Sequence, residues 1–181
     1  MKEIKDKLIS IIIPCRNEVN YIENLLTSIL NSDYDIDKVE VFLVDGMSND
    51  GTRELIQEKY LPNNKITLID NVKQKTPFAF NLGIVKSKGD IIIILGARHI
   101  ISSNYLSEVV NVLTHEKNIA CVGGMVYNIY ENKKSEIISE AMASPFGIGF
   151  NNFRSIKNDS YVDTIGSPAF RKEIFEEVGL F

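Results

Sequence analysis

The sequence predicts an α/β fold, a mainly parallel sheet flanked by helices. Three observations carry that reading. Short apolar runs alternate with stretches of helical periodicity from residue 8 to residue 113, the rhythm of βαβ units. The fourth run, "DIIIIL" (90–95), shows no polar alternation after its aspartate, as a strand covered on both faces does. Polar and charged residues cluster just after the runs, at the strand ends where open parallel sheets bind their ligands.

Taken in order, "LISIIIP" (8–14) is a strand bounded by proline. Ile22, Leu25, Leu26, Ile29 and Leu30 recur at helical spacing and make one apolar stripe. "VEVFLVD" (39–45) is the second strand. Asp50 suits the cap of the next helix, whose Leu55 and Ile56 face inward. "KITLID" (65–70) is the third strand. Thr76 then suits an N-cap and Pro77 the first helical position, where its missing N–H costs nothing. Phe78, Leu82 and Val85 form the stripe of that helix, and Gly89 ends it. After the fourth strand, Ser103 caps a helix carrying Leu106, Val109, Val110 and Leu113. "IACVGG" (119–124) and "MVYNIY" (125–130) are further strand candidates. Beyond about residue 131 the rhythm breaks. A helix over "SEIISEAMA", a glycine-rich loop over "SPFGIGFNNF" and a short helix over "RKEIFEEVG", closed by Gly179, follow.

With 181 residues and no repeat or flexible linker, the chain is expected to form one domain. A net charge of −4 gives no electrostatic case for a nucleic-acid partner, whose binders carry a basic face. Cys15 and Cys121 form no disulfide framework, which points to reduced thiols and a cytoplasmic setting. The N-terminus lacks the apolar stretch of a signal peptide. The run Ile91 to Leu95 is far shorter than the roughly 20 residues of a membrane span.

Four strand-end segments therefore carry the candidate chemistry. They are Pro14-Cys15-Arg16-Asn17-Glu18, Asp45-Gly46-Met47-Ser48, Asp70-Asn71 and Gly96-Ala97-Arg98-His99. The first contains no glycine, so the G-x-G-x-x-G turn of dinucleotide folds is absent, and so is a P-loop. Asp45 and Glu18 each have a structural alternative, as a turn residue and as a helix-start charge. Arg16 reads equally as a solvated loop residue, and His115 as structural.

"SIIIPCRNEVNYIENLLTSIL" followed by "VEVFLVDGMSNDGTRELI" resembles family 2 glycosyltransferases. The second segment carries Asp45, Ser48, Asp50, Gly51 and Thr52 of an S-x-D-G-T signature. The likeness continues through "TPFAFNLGIVKSKGDIIIILGARH", and "VDTIGSPAFRKEIFEEVGLF" resembles the bacterial exopolysaccharide and succinoglycan-type branch. The resemblance implies a GT-A fold and an inverting transfer from a nucleotide-diphosphate sugar to an acceptor hydroxyl on a glycan or lipid-linked substrate. It places Pro14, Arg16, Glu18, Asp45 and Ser48 at the nucleotide, and Lys75 and Asn81 near the sugar-diphosphate. Asp163 stands as either an acceptor-site base or a turn residue.

The likeness implies a divalent metal, Mg²⁺ or Mn²⁺, held by an acidic D-x-D-like element after the fourth strand. Here Gly96 and Arg98 take its two acid positions. Arginine does not ligate a hard cation, which wants oxygen donors, and His99 alone makes a poor site. Metal ligands are therefore not assigned. Arg98 marks either a metal-free diphosphate site, with Gly96 allowing close backbone approach, or acids lost without replacement. Gly46 likewise stands where relatives often have a second acid.

Relatives continue past "EEVGLF" into sequence that includes an acidic pair supplying the base. The expectation is a truncated chain: residues 1 to about 130 bind the nucleotide sugar, and 131–181 begin an acceptor-side part. Membrane association would then come through residues beyond this chain, at the inner face. Two functions stay open, a sugar transferase and a non-catalytic nucleotide-binding relative.

Overall fold

The computed structural model describes residues 7–130, 132–144 and 158–181. Among these residues the sheet has six strands in the order β3-β2-β1-β4-β6-β5. The four predicted strands are present as β1 (Ile9–Cys15), β2 (Val39–Asp45), β3 (Ile66–Asp70) and β4 (Ile91–Ile94). They run parallel, with Ile9 beside both Val39 and Ile91. The helices between them are α1 (Ile22–Leu30), α2 (Thr52–Lys59), α3 (Thr76–Lys86) and α4 (Tyr105–His115).

Alternation along β1 divides the core. Ile9, Ile11 and Ile13 pack with the buried faces of α1, α2 and α4, while Ile12 packs with Phe42, Val44, Ile92 and α3. Both faces are thus covered, which is why β1 and β4 read as continuous apolar runs.

Helix α3 differs from its predicted stripe. Ala79, Gly83 and Ile84 are buried, Leu82 is half-buried, and Phe78 and Val85 are exposed. The reason is a close approach. A Cβ built on Gly83 would lie 2.6 Å from Ile12 Cγ2, so only a small-residue face fits against β1. The helix also starts one residue early, with Lys75 as N-cap and Thr76 already helical, and it ends at Lys86 with Ser87 as C-cap, short of Gly89. Helix α4 is capped at Asn104, not Ser103, but buries the four predicted residues.

The region after α4 was read least well. Only Cys121–Val122 forms a strand, β5, and residues 125–130 form none. Helix α5 (Lys133–Ala143) covers the predicted segment and begins in a capping box at Asn132 and Ser135. The glycine-rich stretch lies, from residue 145, outside the described residues. The start of the predicted last helix is instead β6 (Ala169–Arg171), which runs antiparallel between β4 and β5. Arg171 donates to the carbonyls of Leu113 and Lys117 at 3.0 and 2.8 Å, closing the end of α4. Helix α6 (Ile174–Val178) then ends at Gly179, whose φ of 86° favours glycine. The chain divides into two compact units, Met1–Val122 with Ala169–Phe181, and Gly123–Pro168.

Gly83 gives a test of the α3 packing. Glycine to alanine within a helix ordinarily stabilises by up to about 1 kcal/mol. Here the Ile12 contact opposes that gain, and overpacking costs about 1–3 kcal/mol. Gly83→Ala is therefore expected to lower stability in urea unfolding. A stability gain would show that α3 can step away from β1.

Candidate functional site

Register brings three strand ends into one row: Cys15 beside Asp45, and Asp45 beside Asp70. Asp45 has no solvent exposure. Its Oδ2 accepts from the Ser48 N–H at 3.0 Å and from Arg53 Nη1 at 2.6 Å, and its Oδ1 accepts from the Ser48 hydroxyl. Arg53 Nη2 reaches Asp70 at 2.7 Å. Hydrogen bonds to Asp45 and then Asp70 hold this guanidinium yet more firmly protonated. The neighbouring Cys15 thiol is pushed up to about 12, first by burial and then by the Asp45 and Glu18 charges. It stays a protonated thiol at neutral pH.

The Ser48-x-Asp50-Gly51-Thr52 signature fixes the first loop. Ser48 Oγ accepts the Asn17 N–H at 2.9 Å, Thr52 Oγ1 the Glu18 N–H at 2.9 Å, and Asp50 Oδ2 the Val19 N–H at 3.2 Å. Asn17 Oδ1 answers by accepting the Asn49 N–H at 3.0 Å. Consecutive amides of the β1–α1 loop are thus held by side chains of the β2–α2 loop. Asp50 also accepts the Thr52 N–H at 3.0 Å, the capping bond expected of it, although Gly51 occupies the N-cap position.

Above this frame lies a cleft of about 220 Å³. It gathers Pro14, Arg16, Glu18 and Lys75, four of the residues singled out in the sequence, with Gly46, Asn71 and Thr76. Four others are placed differently. Asp45 and Ser48 turn inward, as described. The Asn81 side chain exchanges hydrogen bonds with the Phe181 backbone at 2.6 and 3.0 Å, away from the cleft lining. A Cβ on Gly96 would meet the His99 ring at 3.2 Å, so this glycine makes room for imidazole. Nor do Asp45 and Gly96 end neighbouring strands, because β1 lies between β2 and β4. Asp163 is exposed and belongs to the second unit.

Arg98 reaches the cleft wall through Glu18. Its Nε donates to Glu18 Oε2 at 2.8 Å, and its guanidinium lies 4.7 Å from the centre of the Tyr21 ring. His99 Nδ1 accepts the Gly96 N–H at 3.1 Å, which leaves the ring proton on Nε2. Among the described residues no three acid, histidine or cysteine side chains group as metal ligands. The strand-end donor set, an arginine paired with Glu18 and a histidine committed to backbone, does not fit a hard divalent cation.

Sequence reading passed over Arg53 and Tyr21, and named Asn71 only as part of the strand-end segment Asp70-Asn71, without a role. Arg53 follows the signature directly, and its i+8 relation to Asp45 leaves no periodic signal. Asn71 is buried, its N–H donates to the Asp45 carbonyl at 2.8 Å and its Nδ2 to the Lys75 carbonyl at 3.0 Å. Its Oδ1 has no partner among the described residues. A strand-end Asn next to Asp70 was the available signal.

A parallel sheet with a polar cleft beyond its carboxyl ends defines an α/β protein of the open-sheet class, which binds its ligands at that edge. The chain belongs to glycosyl transferase family 2, whose description matches residues 10–179. It is 33% identical over 177 residues, 93% of its length, to a dolichyl N-acetyl-alpha-D-glucosaminyl phosphate 3-beta-D-2,3-diacetamido-2,3-dideoxy-beta-D-glucuronosyltransferase of Methanococcus voltae. Among solved structures it resembles the mannosyltransferase PcManGT from Pyrobaculum calidifontis in complex with GDP-Man and Mn²⁺, with a TM-score of 0.69 and 23% identity over 97% of this chain. It also resembles S. aureus TarS 1–349 in complex with UDP-GlcNAc, with a TM-score of 0.66 and 15% identity over 94% of this chain. These structural likenesses establish the GT-A fold. The chain covers 54% of the curated relative and 47% of each of the two structures, about half their length.

Two outcomes follow from the frame. Asp45→Ala strands the Ser48 N–H and Arg53, and is expected to cost about 2–4 kcal/mol in urea unfolding, the range for breaking buried charged hydrogen bonds; a loss below about 1 kcal/mol would show that the loops hold without it. Slight burial pushes the Asp50 carboxyl up, but bonds from the Thr52 hydroxyl and from the Thr52 and Val19 N–H groups outweigh that and lower it. A lowered folded value contributes stability above the unfolded value near about 3.9, lost as pH falls through the folded one. Asp50→Asn should therefore flatten the acid limb of the stability–pH curve, read by denaturant midpoints at successive pH values.

Proposed function

We propose that this domain binds the donor of an inverting sugar transfer, a nucleoside-diphosphate sugar, for delivery to a hydroxyl of a glycan or lipid-linked acceptor. The observation that carries the reading is the cleft at the strand ends, lined by Arg16 and Lys75 and bordered by Arg98, in a chain of this family. Its cations suit a diphosphate, and the row of polar strand ends suits a nucleoside.

The chemistry is a single displacement at the anomeric carbon. The acceptor oxygen forms the new bond from the face opposite the leaving group, the bond to the donor phosphate oxygen breaks, and configuration inverts. A base takes the hydroxyl proton, and positive groups offset charge growing on the leaving diphosphate. Arg98 is proposed for the second task, with Arg16 and Lys75 beside it. Asp163 is the proposed base, a role that rests on the family resemblance alone. No step runs through a divalent metal, whose ligands these residues do not supply.

A lipid-linked acceptor is supported by the Methanococcus voltae relative, whose name makes its substrate a dolichyl-linked phosphate. The likeness to the exopolysaccharide branch supports polysaccharide or surface-glycan synthesis in the cell envelope. Action in the cytoplasm at the inner membrane face would suit either acceptor. No helix among the described residues is long and apolar enough to cross a membrane. Membership of a transferase family weighs against a purely nucleotide-binding role.

Calorimetric titration of the chain with UDP-GlcNAc and GDP-mannose tests the donor reading. Saturable binding of one of them is expected, weakened about tenfold or more in Lys75→Ala, the usual loss for a charge-assisted contact. Failure of both sugars and of their free nucleotides to bind would overturn it.

A further inference from the structure

The geometry points to a donor site that holds its diphosphate with side-chain cations and without a divalent metal. This inference rests on the reading of the cleft as a nucleotide-sugar site and adds how the phosphates are met.

Two separate features of the cleft rim give space to cations. At the end of β2, Gly46 lies against Arg16. A Cβ there would sit 3.2 Å from Arg16 Cδ and 3.3 Å from its Cβ, tighter than ordinary packing. The missing side chain at residue 46 is what lets the Arg16 stem lie over the strand end and its head line the cleft. At the end of β4, Arg98 is held from two sides, by Glu18 at 2.8 Å and by the face of Tyr21. It is 65% exposed although so held, an oriented guanidinium open to solvent. Lys75, the N-cap of α3, also lines the cleft.

The charges add in one direction. Among the described residues Glu18 is the one carboxylate lining the cleft, and it is paired with Arg98. Asp45 is buried and met by Arg53. Arg16, Lys75 and Arg98 against Glu18 leave an excess of two positive charges around the cleft. A diphosphate ester carries about two to three negative charges at neutral pH, and guanidinium forks match its oxygens in pairs. Glu18 is then a positioning residue, orienting Arg98. A cation such as the Mn²⁺ that accompanies GDP-Man on PcManGT would instead meet two guanidinium groups, an imidazole nitrogen already accepting from Gly96, and a buried thiol, a soft donor ill-suited to a hard cation.

The test is calorimetry of the 181-residue chain with UDP and with GDP, first in EDTA and then with Mn²⁺. The nucleotide that binds is expected to do so in EDTA, with its Kd moving less than about twofold when Mn²⁺ is added. Arg98→Ala should weaken it about tenfold or more, the usual loss of a charge-assisted contact, with part recovered in Arg98→Lys. Thermal unfolding of both variants should match the parent, since the guanidinium is exposed. Binding that needs Mn²⁺, or an Arg98→Ala chain that binds like the parent, overturns the metal-free site and leaves the nucleotide reading standing. Binding of neither nucleotide in either buffer overturns the nucleotide reading, and this inference with it.

Discussion

Asp45 sits without solvent contact at the end of β2, so protein groups alone must meet its charge. They do so completely, with Ser48 supplying an N–H and a hydroxyl and Arg53 a guanidinium arm. Everything at the carboxyl end of the sheet is hung on that arrangement. Ser48, oriented by Asp45, accepts the Asn17 amide; Thr52 and Asp50, one turn on, accept the next two. Arg53, drawn in by Asp45, carries its other arm to Asp70 and ties β3 to the same point. A single desolvated carboxylate thereby joins three strand ends and two loops.

The consequence for the cleft is preorganisation. Glu18 and Arg16 do not depend on a mobile loop for their position, since the backbone between them is held amide by amide. Glu18 in turn fixes Arg98 across from it. Electrostatic stabilisation of a leaving group works best when the charges are in place before the bond breaks, because no reorganisation is then needed. The buried acid acts at one remove: it orders the loop that carries Arg16 and Glu18.

The parallel half of the fold was legible because its physics is local. The stripe of α1, the runs of β1, β2 and β4 and the four buried residues of α4 follow from periodicity alone. The α3 face was misread because the packing partner, Ile12, overrides hydrophobicity: the helix presents its smallest residues where it comes closest. Strand β6 was missed for the opposite reason. "AFR" is too short to show alternation, and only pairing with β4 and β5 makes it a strand. In the site, the strand-end segments were found, but side-chain direction was not. Asp45 and Ser48 lie in the right loop and point into the protein, a distinction invisible to motif spacing. Arg53 and Tyr21 matter through partners many residues away, Asp45 and Arg98, so nothing in their own neighbourhood marks them.

The last two strands have an architectural consequence. Val122 and Ala169 are partners in one antiparallel pair, as are Cys121 and Phe170. The chain leaves the sheet and re-enters it at the same point, roughly 5 Å apart across the ladder. Residues 123–168 therefore form a closed excursion whose ends are already joined. Lengthening such an excursion adds only about 0.6 kcal/mol of closure entropy per doubling, and none of that cost reaches the strands under the cleft. The pairing of Val122 with Ala169 thus closes this edge of the sheet whatever the length of chain between them.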